Sequence, residues 1–148
     1  MKTLTRDGRL ADALAALYGY LRMGPRPFLE NEPHASADAF IDALADHLRH
    51  EEERVFPTLR EAKLDADPVL DPLRKEHARL RDLASRLAQR MSAEDYDGAA
   101  DVALACLETL LKHLRREERA IDVLIGRLPP ETTDRLLRRI GLHWTEEG

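Results

Sequence analysis

The segment His47-Leu48-Arg49-His50-Glu51-Glu52 returns as His113-Leu114-Arg115-Arg116-Glu117-Glu118, five matches in six at an offset of 66 residues. The same offset aligns Leu14, Leu17 and Leu21 with Leu80, Leu83 and Leu87. Two leucine registers and two His/Glu segments sharing one ungapped offset read as a duplicated helical hairpin. In each copy a His precedes a Glu by four residues, so the two side chains stack on one face of a helix.

Outward from these segments the whole chain has helical spacing. Aromatic residues are only 5%, Leu, Ala, Arg and Glu dominate, and no run of alternating β-branched residues occurs. The first helix spans Arg9 to about Arg22 and stops at Gly24-Pro25-Arg26-Pro27. Ser36 reads as the N-cap of a second helix that runs to about Ala62, with a kink expected at Pro57. A third helix begins near Asp67-Pro68 or Asp71-Pro72 and ends around Arg90. Ser92 reads as the cap of a fourth, continuing to about Leu128, with Gly98 weakening its first turns. Pro129-Pro130 then precedes a short helix from about Glu131 to Ile140. The expected fold is all-α: an up-down four-helix bundle over residues 1–128 and a C-terminal helical appendage over 129–148.

Composition narrows the function. The 148 residues suit one domain, and 34% charged with 43% apolar residues is ordinary folded composition. A formal net charge of -5 disfavours nucleic acid or an anionic membrane surface as the main partner. The lone Cys106 makes no internal disulfide, and no apolar run approaches the ~20 residues of a membrane span. The Met1-Lys2-Thr3-Leu4 start leads into no signal-peptide core, so a cytoplasmic location is expected.

The His/Glu faces coincide with the apolar stripes. His113 and Glu117 share a stripe with Cys106, Leu110, Ile121 and Leu124; His47 and Glu51 share one with Phe40, Leu44 and Val55. In the third helix, His77 shares its stripe with Leu73, Leu80, Leu87 and Met91. One inward His is usually a hydrogen-bonded core residue, and one His/Glu pair a buried or stripe-edge pair. Three His and two Glu are different, because interior carboxylates cost several kcal/mol unless paired, neutralised or metal-bound. No cation stands beside these acids on the stripes, and carboxylates with imidazoles suit iron, manganese or zinc. Other templates fit less well. No histidine has a Glu three residues before it, as di-iron Glu-x-x-His requires, and His50-Glu51-Glu52-Glu53-Arg54 lacks the second His of a zincin.

The segments His47-Leu-Arg-His-Glu51-Glu-Glu-Arg-Val-Phe-Pro57, Glu76-His77-Ala-Arg-Leu80 and His113-Leu-Arg-Arg-Glu117-Glu resemble the hemerythrin-like (HHE cation-binding) domain over about residues 7–127. The resemblance implies a four-helix bundle holding non-haem iron as a di-iron centre, with glutamates that bridge the ions. It implies the ligands His47, Glu51, His77, His113 and Glu117. It also implies that the histidines of the second and third helices share one ion, and those of the first and fourth the other. The first helix departs from this pattern. The repeat places its ligand at position 77 minus 66, which is Ala11, and the helix contains no histidine. Asp7 and Asp12 are weak substitutes, one at a frayed end and the other about 100° round the helix. On that pairing the ion at His113 loses a ligand, so the site is either mononuclear or has a second, weak and open position.

The other residues read more plainly. His50 flanks the ligand face, His34 precedes the second helix and lies thirteen residues before His47, too remote for the site, and His143 belongs to the appendage. Cys106 reads as a small core residue, and Tyr18 and Tyr20 as packing. Arg135, Arg138 and Arg139 with Leu136 and Leu137 make the last helix amphipathic, to pack on the bundle or on a second copy in a homo-oligomer. The expected function is a metal-binding protein that binds or senses a small diatomic ligand such as dioxygen or nitric oxide. The alternatives are a redox or iron–sulfur repair factor, or a degenerate metal-free bundle acting as an interaction domain; enzymatic activity stays open.

Overall fold

The computed structural model of the chain describes residues 2–5, 9–23, 31–61, 67–139 and 143–146. Six α-helices are described: α1 (Arg9–Arg22), α2 (Asn31–His50), α3 (Phe56–Glu61), α4 (Asp67–Ser92), α5 (Tyr96–Ile125) and α6 (Pro130–Arg139). A π-helical turn, Glu51–Val55, joins α2 to α3, so these form one long interrupted rod. α1 packs on α2, α2 on α4, α4 on α5, and α5 back on α1, which closes the ring of a four-helix bundle. Each helix supplies an apolar stripe: Leu10, Leu14, Leu17 and Leu21 on α1; Leu73, Leu80, Leu83 and Leu87 on α4; Cys106, Leu110, Ile121 and Leu124 on α5. The short spacing of these stripes along each helix is what the burial of a bundle interior demands.

Three boundaries differ from those expected. α2 begins at Asn31, five residues before Ser36, because Pro33 falls in the first turn, where backbone N–H groups have no intrahelical acceptor anyway. The break before Pro57 takes the form of the π turn, with the Phe56 N–H donating to the Glu51 carbonyl. Pro57 has no N–H to offer the turn behind it, and the wider π turn absorbs that defect. α5 is capped by Asp95, not Ser92: the Asp95 carboxylate accepts from the Gly98 N–H at 3.0 Å. A Cβ at Gly98 would lie 2.3 Å from that carboxylate, so the glycine makes room for the cap and does not weaken the helix start. Glu94, at φ 56°, turns the chain sharply between α4 and α5.

α6 packs on α3, on the bundle itself, and Thr133 Oγ donates to the carbonyl of Pro129 at 3.1 Å. Two strands lie outside the helical expectation: β1 (Lys2–Thr5) and β2 (His143–Glu146) pair antiparallel, Lys2 opposite Glu146 and Thr5 opposite His143. Four-residue strands are too short to leave a periodic signal, and this ribbon exists because the bundle brings the two ends of the chain together. The fold is an all-α bundle with this small ribbon appended. Among the described residues no helix is long and apolar enough to cross a membrane.

The interior divides into two apolar clusters. The larger is built from α1, the first part of α2, the second part of α4 and the first part of α5. The smaller contains Val55, Phe56, Leu59, Leu70, Leu73 and the last turns of α5. Where α2 with α3, α4 and α5 pass between the two clusters they carry the His/Glu residues.

Candidate metal centre

The polar layer is enclosed. Glu51 and His77 are 1% exposed, and His113 and Glu117 are 0%. His47 is nearly enclosed, with 16% of its side chain accessible. All five residues singled out from the sequence meet here, and they do so because leucines or alanines one turn away on each helix anchor the same face in the core. Phe56, the first residue after the π turn, stacks on the His77 ring at 5.5 Å between centroids. His77 and His113 meet edge to face at 4.9 Å.

Glu51 is the hub. One oxygen lies against His47 Nε2, while the other lies 3.0 Å from His77 Nε2 and 3.7 Å from His113 Nε2. Glu117 lies 3.4 Å from His113 Nε2 and 3.9 Å from His47 Nε2. Ligands bound at 2.0–2.2 Å to one ion stand roughly 3–4 Å apart, so these separations suit a shared cation. Two groups of donor atoms each fall within 4.8 Å of one another: Glu51, His77 and His113; and His47, Glu51 and Glu117. This grouping corrects the expected pairing of histidines. His77 associates with His113 across the α4–α5 interface, and His47 stands with the two glutamates.

The repeat explains the correction. Shifted by 66 residues, the group Glu51, His77 and His113 becomes Glu117, position 11 and His47. The second group is therefore the copy of the first, with Glu51 completing it and Ala11 standing where the third ligand belongs. Ala11 is half-buried and packs against the larger apolar cluster. By the repeat, position 11 therefore belongs with the His47 and Glu117 group and not with the His113 group. Asp12 is exposed and does not replace it, and Asp7 lies outside the described residues.

Burial works against the charged form of His47, but the nearby carboxylates of Glu117 and Glu51 outweigh it and lift the pKa from 6.5 to about 9. His113 is likewise raised, its burial overcome by Glu51. Glu51 is held below the usual carboxylate range, its burial overcome by His113, His47 and His77. His47 Nε2 and His113 Nε2 are buried and make no hydrogen bond of proper geometry among the described residues. Buried imidazole nitrogens converging on two carboxylates fit a divalent transition metal, and His/Glu donors accommodate iron, manganese or zinc.

Residues around the layer went unrecognised in the sequence. His113 Nδ1 donates to Glu76 at 3.0 Å, and Glu76 is ion-paired to Arg116. Glu52 lies 3.6 Å from His77 Nδ1 and receives two hydrogen bonds from Arg81, at 2.8 and 2.6 Å. The adjacency of Glu76 to His77 was visible, but its reach across to α5 depends on the packing of the two helices. His50 is exposed, on the outside of the layer. His34 bonds to the Tyr96 hydroxyl at 3.0 Å, at the other end of α2. Tyr18 takes a hydrogen bond from Arg22, Tyr20 is largely exposed, and Cys106 is buried in the larger apolar cluster, its thiol pushed up to about 12 by burial. His143 lies on β2, its side chain outside the described residues.

Residues 7–121 match the family described as Hemerythrin HHE cation binding domain. The chain belongs to that family. The match begins before α1 and ends within α5, so it takes in every residue of the hemerythrin HHE layer. Comparisons with curated proteins and with solved structures returned no match.

Proposed function

We propose that this hemerythrin HHE protein binds non-haem iron through Glu51, His77, His113, His47 and Glu117, and that the loaded centre takes up a small ligand such as dioxygen or nitric oxide. The observation that carries this reading is the enclosed layer itself: two glutamates and three histidines between two apolar clusters, with His47 Nε2 and His113 Nε2 directed inward. Such a set of donors costs stability in a dry core unless a cation compensates it. Two carboxylates also satisfy the charge of a divalent ion. When bound, iron supplies open coordination positions and one-electron chemistry. The chain's own contribution is to hold Glu51 ionised, to keep the imidazoles in position through Phe56 and Glu76, and to exclude water by the leucines above and below. On this reading Ala11 leaves the His47 side of the layer one protein ligand short, and an exogenous ligand would complete that position.

The test is elemental analysis, with an absorption spectrum before and after nitric oxide, on protein purified without chelator. Iron in stoichiometric amount with a nitric oxide-dependent spectrum is expected. Stoichiometric zinc, silent to nitric oxide, refutes the ligand-binding part. Absence of any metal, together with failure to take up added ferrous iron, supports instead the metal-free interaction domain, which Ala11 favours.

A further inference from the structure

The repeat permits each half of the layer to be compared with its own copy, and the halves are unequally supported. Behind His113 stands Glu76, 3.0 Å from Nδ1 and itself tied to Arg116. Glu52 stands 3.6 Å from His77 Nδ1, beyond hydrogen-bonding distance and held by both arms of Arg81, and His77 Nδ1 makes no hydrogen bond among the described residues. A carboxylate bonded to Nδ1 fixes the ring and leaves Nε2 to face the ion, and it raises the basicity of the ligand. The equivalents on the other side are different residues. Position 76 minus 66 is Leu10, a core leucine; position 81 minus 66 is Ala15; and Arg116 corresponds to His50, which is exposed. Position 77 corresponds to Ala11, which offers no ring to orient at all.

Resting on the metal-binding reading above, we infer that Glu76, with Arg116, is a positioning residue that makes Glu51–His77–His113 the tight ion position, and that the His47–Glu117 position fills second and exchanges freely. Nothing about this ranking follows from the ligands being His and Glu, since both positions share Glu51. It follows from the acid bonded behind His113, which has no counterpart at position 10 on the His47 side.

The probe is Co2+, added to chelator-stripped protein, with bound ions counted by native mass spectrometry and the visible spectrum followed in parallel. Two steps are expected, the second needing at least tenfold more Co2+. His47→Ala leaves the first step and removes the second, whereas His77→Ala removes the first. Glu76→Gln keeps an acceptor for Nδ1 but loses the charge, and it weakens the first step by about 10–100-fold with a shifted visible band. Glu76→Ala weakens it at least as much, and neither changes the helical circular dichroism. Two ions bound with equal affinity, a first step lost in His47→Ala, or wild-type affinity in both Glu76 variants overturns the ranking. Failure of the wild-type chain to bind any Co2+ overturns the metal reading itself, and the two failures are thereby distinct.

Discussion

If His47 is a metal ligand as proposed, its raised pKa means that the metal-free protein carries a proton there at neutral pH and that loading expels it. The rise of the His47 pKa from 6.5 to about 9 is worth roughly 3 kcal/mol, at about 1.4 kcal/mol for each tenfold change. Two consequences run in opposite directions. A histidine whose folded pKa exceeds its unfolded value stabilises the fold in full below the unfolded value, and that contribution is lost as pH rises through the folded one. The metal-free chain is therefore expected to lose about 6–12 °C of Tm between pH 6.5 and 9, taking 2–4 °C per kcal/mol for a domain of this size. The metal-loaded chain behaves in reverse, since the ion competes with the proton and its apparent affinity falls roughly 300-fold from pH 9 down to 6.5. His113, also raised by Glu51, adds to both slopes. Calorimetric titration with Zn2+ at pH 7.5, repeated in buffers of different ionisation enthalpy, counts the protons released; one or more per ion is expected. Zero release, with a metal-free Tm that is flat or rising from pH 6.5 to 9, refutes the assignment of the raised pKa to the Glu51–His47–Glu117 contact. The competition range lies well above the ordinary histidine range because the carboxylates are enclosed with the ring.

Ala11→His is expected to supply the third ligand beside His47 and Glu117, raising the stoichiometry toward two ions per chain while lowering metal-free stability through added bulk; a variant that folds but gains no metal shows that α1 is not in register with α4 across the repeat. Glu51→Ala should abolish metal uptake and His77→Ala should reduce it strongly, whereas His50→Ala, on the exposed side, should leave it unchanged, as measured by elemental analysis after dialysis against limiting metal. Leu17→Ala, at a fully buried site in the larger apolar cluster, should cost about 2–5 kcal/mol in denaturant unfolding without altering metal stoichiometry, and a cost under 1 kcal/mol would mean that α1 is loosely docked. Cys106, buried and with its thiol at about 12, should resist thiol reagents at pH 8 until the protein is unfolded; rapid labelling of folded protein refutes its placement.

The helices, the five inward residues and the repeat were legible because they are local or periodic. A stripe at 3.6-residue spacing declares which way His47 or Glu117 must face once the chain is helical, whatever it packs against. The duplicated His/Glu segment located the polar layer, and Ala11 marked the departure of the first helix, but which histidine group it belongs to was misassigned to His113. Fine boundaries were less legible, since Asp95 and Ser92 are both good caps and only the sharp turn at Glu94 selects between them. What the one-dimensional pattern left open is everything that depends on two helices meeting at a given height and rotation. The association of His77 with His113, the reach of Glu76 from α4 to His113 on α5, and the double grip of Arg81 on Glu52 all cross interfaces. Helical periodicity assigns each residue a face, but the distance between faces is set by how side chains interlock along the contact. The chain ends are a further case, because the pairing of Lys2–Thr5 with His143–Glu146 joins segments separated by the whole bundle. Inward direction was thus a property of each helix alone, whereas partnership, and with it the basis for the proposed ranking of the two ion positions, arose only where the helices dock.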